Sequence, residues 1–272
     1  MQELRDTYGD IFLVDCGDTF HGRNKYPKLR ADLIFSGMSV MGYDALNIGE
    51  GELGLGVDYL IGLAQKYDIN LVSANIAFLN DQNKVSPYII KEINGVKIAV
   101  TGVLAGVYLD DQPKLKNLVH VEKTNKALDR ILTQLNDKAD IILLLSHLGY
   151  QGTKNLFLYN NPKSISVAIV GHGRRLSQKV ELFDGTLAVQ NSMGGEQLSY
   201  LKIITGKEGG IETYELVNIP LTDEVSENPD LKQKMDEFER QAGKIANGER
   251  VKKQTLTTLQ LSPEEFLKTM EK

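Results

Sequence analysis

One cysteine, Cys16, is all that the 272 residues contain. An internal disulfide and a thiolate cluster are thereby excluded, so any metal site must draw on nitrogen and oxygen ligands. No Cys-x-x-Cys-His, the attachment signal of c-type haem, is present. Basic residues are not in excess: 31 Lys and Arg against 36 Asp and Glu give a net charge of −5. That balance offers no electrostatic case for binding nucleic acid or an anionic membrane surface. No apolar run approaches the ~20 residues of a membrane-spanning helix; the strongest, "IILLLS" at 141–146, has the length of a strand. The N-terminal "MQELRDTYGD" lacks the apolar segment of a signal peptide and reads as the end of a helix leading into a strand. Internal repeats and low-complexity tracts are absent. "GEGELGLG" at 49–56 has glycines but no Gly-Lys-Ser/Thr, and its spacing does not fit G-x-G-x-x-G, which argues against a phosphate loop or a dinucleotide fingerprint. The compartment stays open between cytoplasm and extracytoplasmic space.

What is present is an ordinary globular composition, 42% hydrophobic and 25% charged, arranged as strand-length apolar runs alternating with amphipathic helices. Strands are expected at 11–15, 44–48, 70–76, 87–93 and 97–104, the last two joined through Asn94-Gly95, a dipeptide suited to a type I′ hairpin. Helices are expected over roughly 28–41, 57–67 and 123–138; the last carries Ala127, Leu128, Ile131, Leu132 and Leu135 on one face. "DIILLLS" (140–146) and "SVAIVG" (166–171) are near-continuously apolar, as strands covered on both faces are. Beyond residue 177 two hairpin signals, Asp184-Gly185 and "GKEGG", predict an antiparallel meander. The combination predicts an α/β fold with two sheets face to face and helices outside. From 222 to 272 the chain reads as a polar helical extension, with a proline at a first helical position near 229 and a capping box at Ser262 and Glu265.

Polar residues gather where the apolar strands end, the place where open α/β sheets bind ligands. "CGDTFHG" supplies Asp18 and His21, "GEGELG" supplies Glu50 and Glu52, "SHLG" supplies His147, and "HGRR" supplies His172 and Arg174. The glycines around them let the backbone turn sharply and leave room for a ligand. Two imidazoles and two carboxylates suit a hard or borderline divalent cation. Taken singly, each residue also has a plain reading: a turn aspartate, a solvated glutamate, a hydrogen-bonded histidine.

As an ordered set, "VDCGDTFHG", "GYDALNIGEGELGLG", "LVSANI", "GVKIAVTGVL", "ADIILLLSHLG" and "VAIVGHGRR" resemble the calcineurin-like metallophosphoesterases over residues 5–220, most closely the N-terminal domain of the bacterial 5′-nucleotidase and UDP-sugar hydrolase branch. The resemblance implies a four-layer α-β-β-α sandwich in a unit spanning 1–221. It also implies phosphoester hydrolysis in which divalent metals bind phosphate and acidify a water that attacks phosphorus in line. Carried across residue by residue, Asp18 falls on the metal-bridging carboxylate, Glu50 on the asparagine of Gly-Asn-His-Glu, and His147 and His172 on two imidazole ligands of the same metal.

The departures are equally specific. The Asp-x-His of the first metal site would precede residue 1, the second histidine of Gly-His-x-His is replaced by Arg174, and the histidine of Gly-Asn-His-Glu by Gly51. The expectation is therefore one divalent cation (Mn, Fe, Zn or Ca) held by Asp18, Glu50, His147 and His172, with the second site lost. Arg174 either contacts a phosphate oxygen or points to solvent, and Arg175 shares the second option. His21 is the candidate for a proton donor or an extra ligand, or is a plain loop residue. The substrate implied is a phosphorylated small molecule such as a nucleotide, in a periplasmic or other extracytoplasmic setting, with further domains allowed beyond residue 272. The alternative is a catalytically inactive phosphoesterase-like scaffold within a larger secreted protein, one linked to multihaem cytochrome modules included.

Overall fold

The computed structural model describes residues 1–20, 25–79, 84–110, 112–115, 117–160, 162–192, 194–206 and 210–259, the stretch 248–259 by its backbone alone. In chain order the elements are α1 (Gln2–Tyr8), β1 (Val14–Asp15), α2 (Pro27–Met41), β2 (Ala45–Asn47), α3 (Glu50–Leu53), α4 (Val57–Tyr67), β3 (Leu71–Val72), β4 (Ile76–Phe78), β5 (Ile89–Ile93), β6 (Val96–Leu104), β7 (Val119–Val121), α5 (Thr124–Leu135), β8 (Ile141–His147), α6 (Gly149–Asn160), β9 (Val167–Val170), β10 (Glu181–Phe183), β11 (Thr186–Gln190), β12 (Gln197–Thr205), β13 (Ile211–Pro220) and α7 (Pro229–Leu259).

A parallel three-stranded sheet, β1-β2-β3, faces a six-stranded mixed sheet in the order β10-β11-β9-β8-β6-β5. Strand alternation explains why both are buried on two sides. In β8, Ile142 and Leu144 pack with Ala127, Leu128, Ile131 and Leu135 of α5 and with Leu156 and Phe157 of α6. Leu143 and Leu145 face the other way and meet Ala45 of β2 and Val72 of β3. Leu46 and Leu71, one residue out of phase with those, join Phe35 of α2 and Leu60 of α4. Three apolar cores therefore separate four layers, helix, sheet, sheet and helix.

Two polar links pin the sheets together. Asn47, fully buried between them, donates through Nδ2 to the carbonyls of Cys16, Val103 and Leu145, each at 3.2 Å. Toward the opposite end of the strands, Lys91 of β5 reaches Asp44 Oδ1 at 2.7 Å. Gly102 of β6 makes the first link possible, because a Cβ there would lie 2.1 Å from Asn47 Oδ1.

The expected run 70–76 is broken in two. β3 pairs with β2, whereas β4 turns away to pair antiparallel with β7, a strand the sequence reading did not separate. The expected meander is also divided: β10 and β11 extend the large sheet, with β11 parallel to β9, while β12 and β13 form their own two-stranded ribbon. Helix α7 lies along α2. Leu231 comes within reach of Gly37, where a Cβ would sit 3.8 Å from Leu231 Cδ2, and Arg30 covers the ring of Phe238 at 5.4 Å. The capping box at 262 and 265 lies outside the described residues. Among the described residues no helix is long and apolar enough to cross a membrane.

Candidate metal centre

The carboxyl ends of β1 and β2, which run parallel in one sheet, and of β8 and β9, parallel in the other, open onto a shared edge. Asp18 and Glu50 follow the first pair; His147 closes β8 and His172 follows β9. One ligand atom from each of the four lies within 4.8 Å of the others. Carboxylates thus come from the small sheet and imidazoles from the large one.

Local backbone chemistry brings them there. Asp18 and His172 both occupy the left-handed region, at φ 59° and 53°, where a residue with a Cβ is uncommon and is held by its surroundings. The restraint on Asp18 is Glu52, a fully buried carboxylate that accepts from the N–H groups of Asp18 and Thr19 and from Thr19 Oγ1, each at 2.8 Å, and from Gly49 N at 2.9 Å. Burial, with the Asp18 charge adding to it, pushes the Glu52 carboxyl above its usual range despite those donors. Gly51 N completes the loop by donating to Asp18 Oδ1 at 2.7 Å. Around His172, a Cβ on Gly171 would be 2.7 Å from Cys16 Cβ, so this glycine lets the two strand ends approach, and one on Gly173 would displace the Gln190 amide, 2.5 Å away.

His147 is fully buried. Its Nδ1 lies 2.9 Å from the carbonyl of Cys16, which can only accept, so Nδ1 carries the proton. Its Nε2 then faces Glu50 Oε2 at 3.0 Å, His172 Nδ1 at 3.3 Å and Asp18 Oδ2 at 3.5 Å. His172 Nδ1 is in turn 3.3 Å from Glu50 Oε1. A neutral imidazole would aim its lone pair at these acceptors, so the cluster requires a positive charge at its middle, a proton or a cation. Without a cation the proton takes that place: burial alone would lower the His147 pKa, but Asp18 and Glu50 raise it to about 10. Burial likewise opposes ionisation of Asp18, and the contacts from His147 and Gly51 nonetheless hold its pKa below the usual value. Two nitrogens and two carboxylates converging on one point, with one imidazole already fixed by a carbonyl behind it, fit a divalent metal.

Other positions fall out differently. Glu52, read as one of two glutamates in a glycine-rich loop, is an organising group inside a helical turn and makes no approach to solvent. Arg174 is exposed and makes no hydrogen bond or ion pair among the described residues, while Arg175 turns aside to pair with Glu181 and lie 4.2 Å over the ring of Tyr150. His21 lies outside the described residues. Tyr108, stacked on His172 with ring centroids 3.9 Å apart, was not singled out from sequence, and no local motif marks it.

No family model matches the chain. Among curated proteins it is 24% identical to the trifunctional nucleotide phosphoesterase YfkN of Bacillus subtilis, over 91% of this chain and 20% of that protein. It is 25% identical to a snake venom 5′-nucleotidase of Gloydius brevicauda, over 89% of this chain and 45% of the enzyme. The chain therefore spans less than half the length of these relatives. Among solved structures, the sulfate thiohydrolase SoxB of Thermus thermophilus superposes with a TM-score of 0.77 at 19% identity, covering 87% of this chain and 44% of SoxB. The calcineurin-like phosphoesterase YfkN of Bacillus subtilis gives 0.73 at 21% identity, covering 89% and 86%. Sequence and structure point the same way: the chain has the fold of the calcineurin-like phosphoesterases, and its sequence relatives are nucleotide phosphoesterases and 5′-nucleotidases.

Proposed function

We propose that the domain is a metal-dependent phosphoester hydrolase acting on a small phosphorylated molecule of the nucleotide type, with Asp18, Glu50, His147 and His172 holding one divalent cation. The observation that carries this reading is the aim of His147 Nε2 at two carboxylates and a second imidazole while Nδ1 is engaged by Cys16. A cation there, Mn, Fe, Zn or Ca by its donor set, would supply Lewis-acid polarisation of a phosphoryl oxygen and an acidified water. The chain's own groups do the rest: Glu52 and Gly51 hold Asp18 in place, Cys16 sets the tautomer of His147, and His147 itself is fully buried. Arg174, exposed and two residues beyond His172, is a guanidinium open to a phosphate oxygen. His21, three residues beyond Asp18 in the sequence, stands as a candidate proton donor. Fold alone does not choose the substrate, since a sulfate thiohydrolase shares it; the nucleotide phosphoesterases among the sequence relatives favour phosphate.

The reading extends to organisation. Residues 1–221 make the phosphoesterase-like unit and 222–272 a helical extension, and the greater length of the relatives favours further domains in the whole protein. An extracytoplasmic location is in keeping with the venom enzyme among them, and fractionation of producing cells tests it.

One observation favours a second reading, an inactive binding or scaffold domain. Gly51 has no room for the histidine of the family pattern, because a Cβ there would lie 2.2 Å from the carbonyl oxygen of Phe20. Hydrolysis of an aryl phosphate and of a nucleoside 5′-monophosphate, with Mn²⁺ added to chelator-free protein, separates the two. Slow turnover that disappears in His147→Ala is the expected result. No turnover above the blank with either substrate assigns the domain to binding.

A further inference from the structure

We propose that Tyr108 is a positioning residue of this centre: its stacked ring fixes the His172 imidazole, a task that a hydrogen bond to the second ring nitrogen ordinarily performs. The proposal rests on the reading of the four residues as a cation site. Metal-binding imidazoles are generally oriented by a carbonyl or carboxylate on the nitrogen that does not face the metal. His147 has such a partner in the Cys16 carbonyl. His172 has none on Nε2: its polar contacts among the described residues, with His147 Nε2 and Glu50 Oε1 at 3.3 Å each, both run through Nδ1, the nitrogen that faces the centre. Its side chain is 35% exposed, and it stands between two glycines at a left-handed φ of 53°. Among the described residues no polar group holds the ring from the side away from the centre.

Tyr108 does. It sits in the short turn Gly106–Leu109 that follows β6, and β6, β8 and β9 are parallel neighbours, so their carboxyl ends lie side by side. The phenol ring lies on the His172 imidazole, with centroids 3.9 Å apart and planes 15° from parallel, and meets His147 edge-on at 6.1 Å and 89°. The ring is itself tethered. Its Oη donates to the carbonyl of Leu148 at 3.2 Å, and the turn carrying it is anchored by buried Leu109. Gly149, at φ 69°, leaves the space: a Cβ there would stand 3.3 Å from His172 O, 3.5 Å from Tyr108 Oη and 3.8 Å from His172 Cδ2. Three successive strand ends are thereby tied into one seat for His172, with stacking as the contact that reaches the ring.

The test is a calorimetric titration of Mn²⁺ into the chelator-stripped full chain and into Tyr108→Phe, Tyr108→Leu, His172→Ala and the Tyr108→Leu/His172→Ala pair, with melting of each followed in EDTA. Stacking survives in Tyr108→Phe, so its affinity should stay within about threefold of the unsubstituted protein. Tyr108→Leu keeps bulk but not the ring face and should bind about tenfold more weakly, with melting in EDTA close to that of the Phe variant. Because the effect passes through His172, adding Tyr108→Leu to His172→Ala should cost no further affinity. Should the Leu variant not fold, Tyr108→Met gives the same comparison. Unchanged affinity in Tyr108→Leu, or an equal loss in the His172→Ala background, overturns the proposal. Failure of the unsubstituted protein to bind Mn²⁺ removes the cation site itself and this proposal with it, an outcome distinct from a silent Tyr108→Leu in a protein that binds.

Discussion

Gly51 and Asp15 carry the clearest consequences at the scale of single residues. Gly51 stands where the resemblance places a histidine, yet its Cα is closed in by the Phe20 carbonyl and by Asp18 Oδ1, 2.2 and 3.0 Å from any Cβ. Gly51→His should therefore lower stability by about 2 kcal/mol or more, as overpacking does, and give no gain in phosphatase turnover; urea unfolding and an aryl phosphate assay check both. Burial pushes the Asp15 carboxyl from 3.8 up to about 7, against the pull of the Gly17 N–H. A folded-state pKa raised in this way favours the protonated form. Its contribution to stability is complete below about pH 4 and is lost as pH rises through 7. In EDTA, the protein should lose about 2–4 kcal/mol between pH 4 and 7 from this group. Asp15→Asn, which keeps an acceptor for Gly17, should flatten that part of the profile. A slope unchanged by the substitution would place the titration elsewhere.

The elements show which parts of the fold are legible in the chain. The both-faces-apolar strands at 141–146 and 166–171, the hairpin at Asn94-Gly95 and the one-faced helix α5 are local signals that tertiary packing reinforces, and they form where expected. Helix α6 gave no such signal: its span "GYQGTKNLFLYN" includes two glycines and lacks a clean apolar stripe. It is held by packing of Leu156 and Phe157 and by the Ser146–Thr153 hydroxyl pair at 2.8 Å. The division of 70–76 into β3 and β4 depends on β7, about 45 residues away, and no local pattern could announce it. Of the candidate site, the grouping of Asp18, Glu50, His147 and His172 was readable because each closes or follows a strand; the organising role of Glu52 and the presence of Tyr108 were not, because they lie in contacts across the edge. Glycine at the sheet interface offers a paired test. Gly102→Ala, with its Cβ 2.1 Å from the pinned Asn47 amide, should destabilise by about 1–3 kcal/mol. Gly62→Ala, exposed in α4 with nothing within 4 Å, should stabilise by ~0.5–1 kcal/mol. Equal effects in thermal melts would contradict the packing described.

At the scale of the whole molecule, three apolar cores hold two sheets in a fixed relation, and that relation is what brings two carboxylates from one sheet against two imidazoles from the other. Asn47 fixes the spacing just beneath the site by binding carbonyls on three strand ends, Cys16 among them, and the Cys16 carbonyl also orients His147. The centre is thus a property of the sandwich rather than of any one loop. Calorimetric titration of Mn²⁺ into the chelator-stripped protein and its His147→Ala variant addresses this most directly. One equivalent bound by the parent and none by the variant is the result predicted; a parent that binds nothing, or a variant that binds as tightly as the parent, would contradict it.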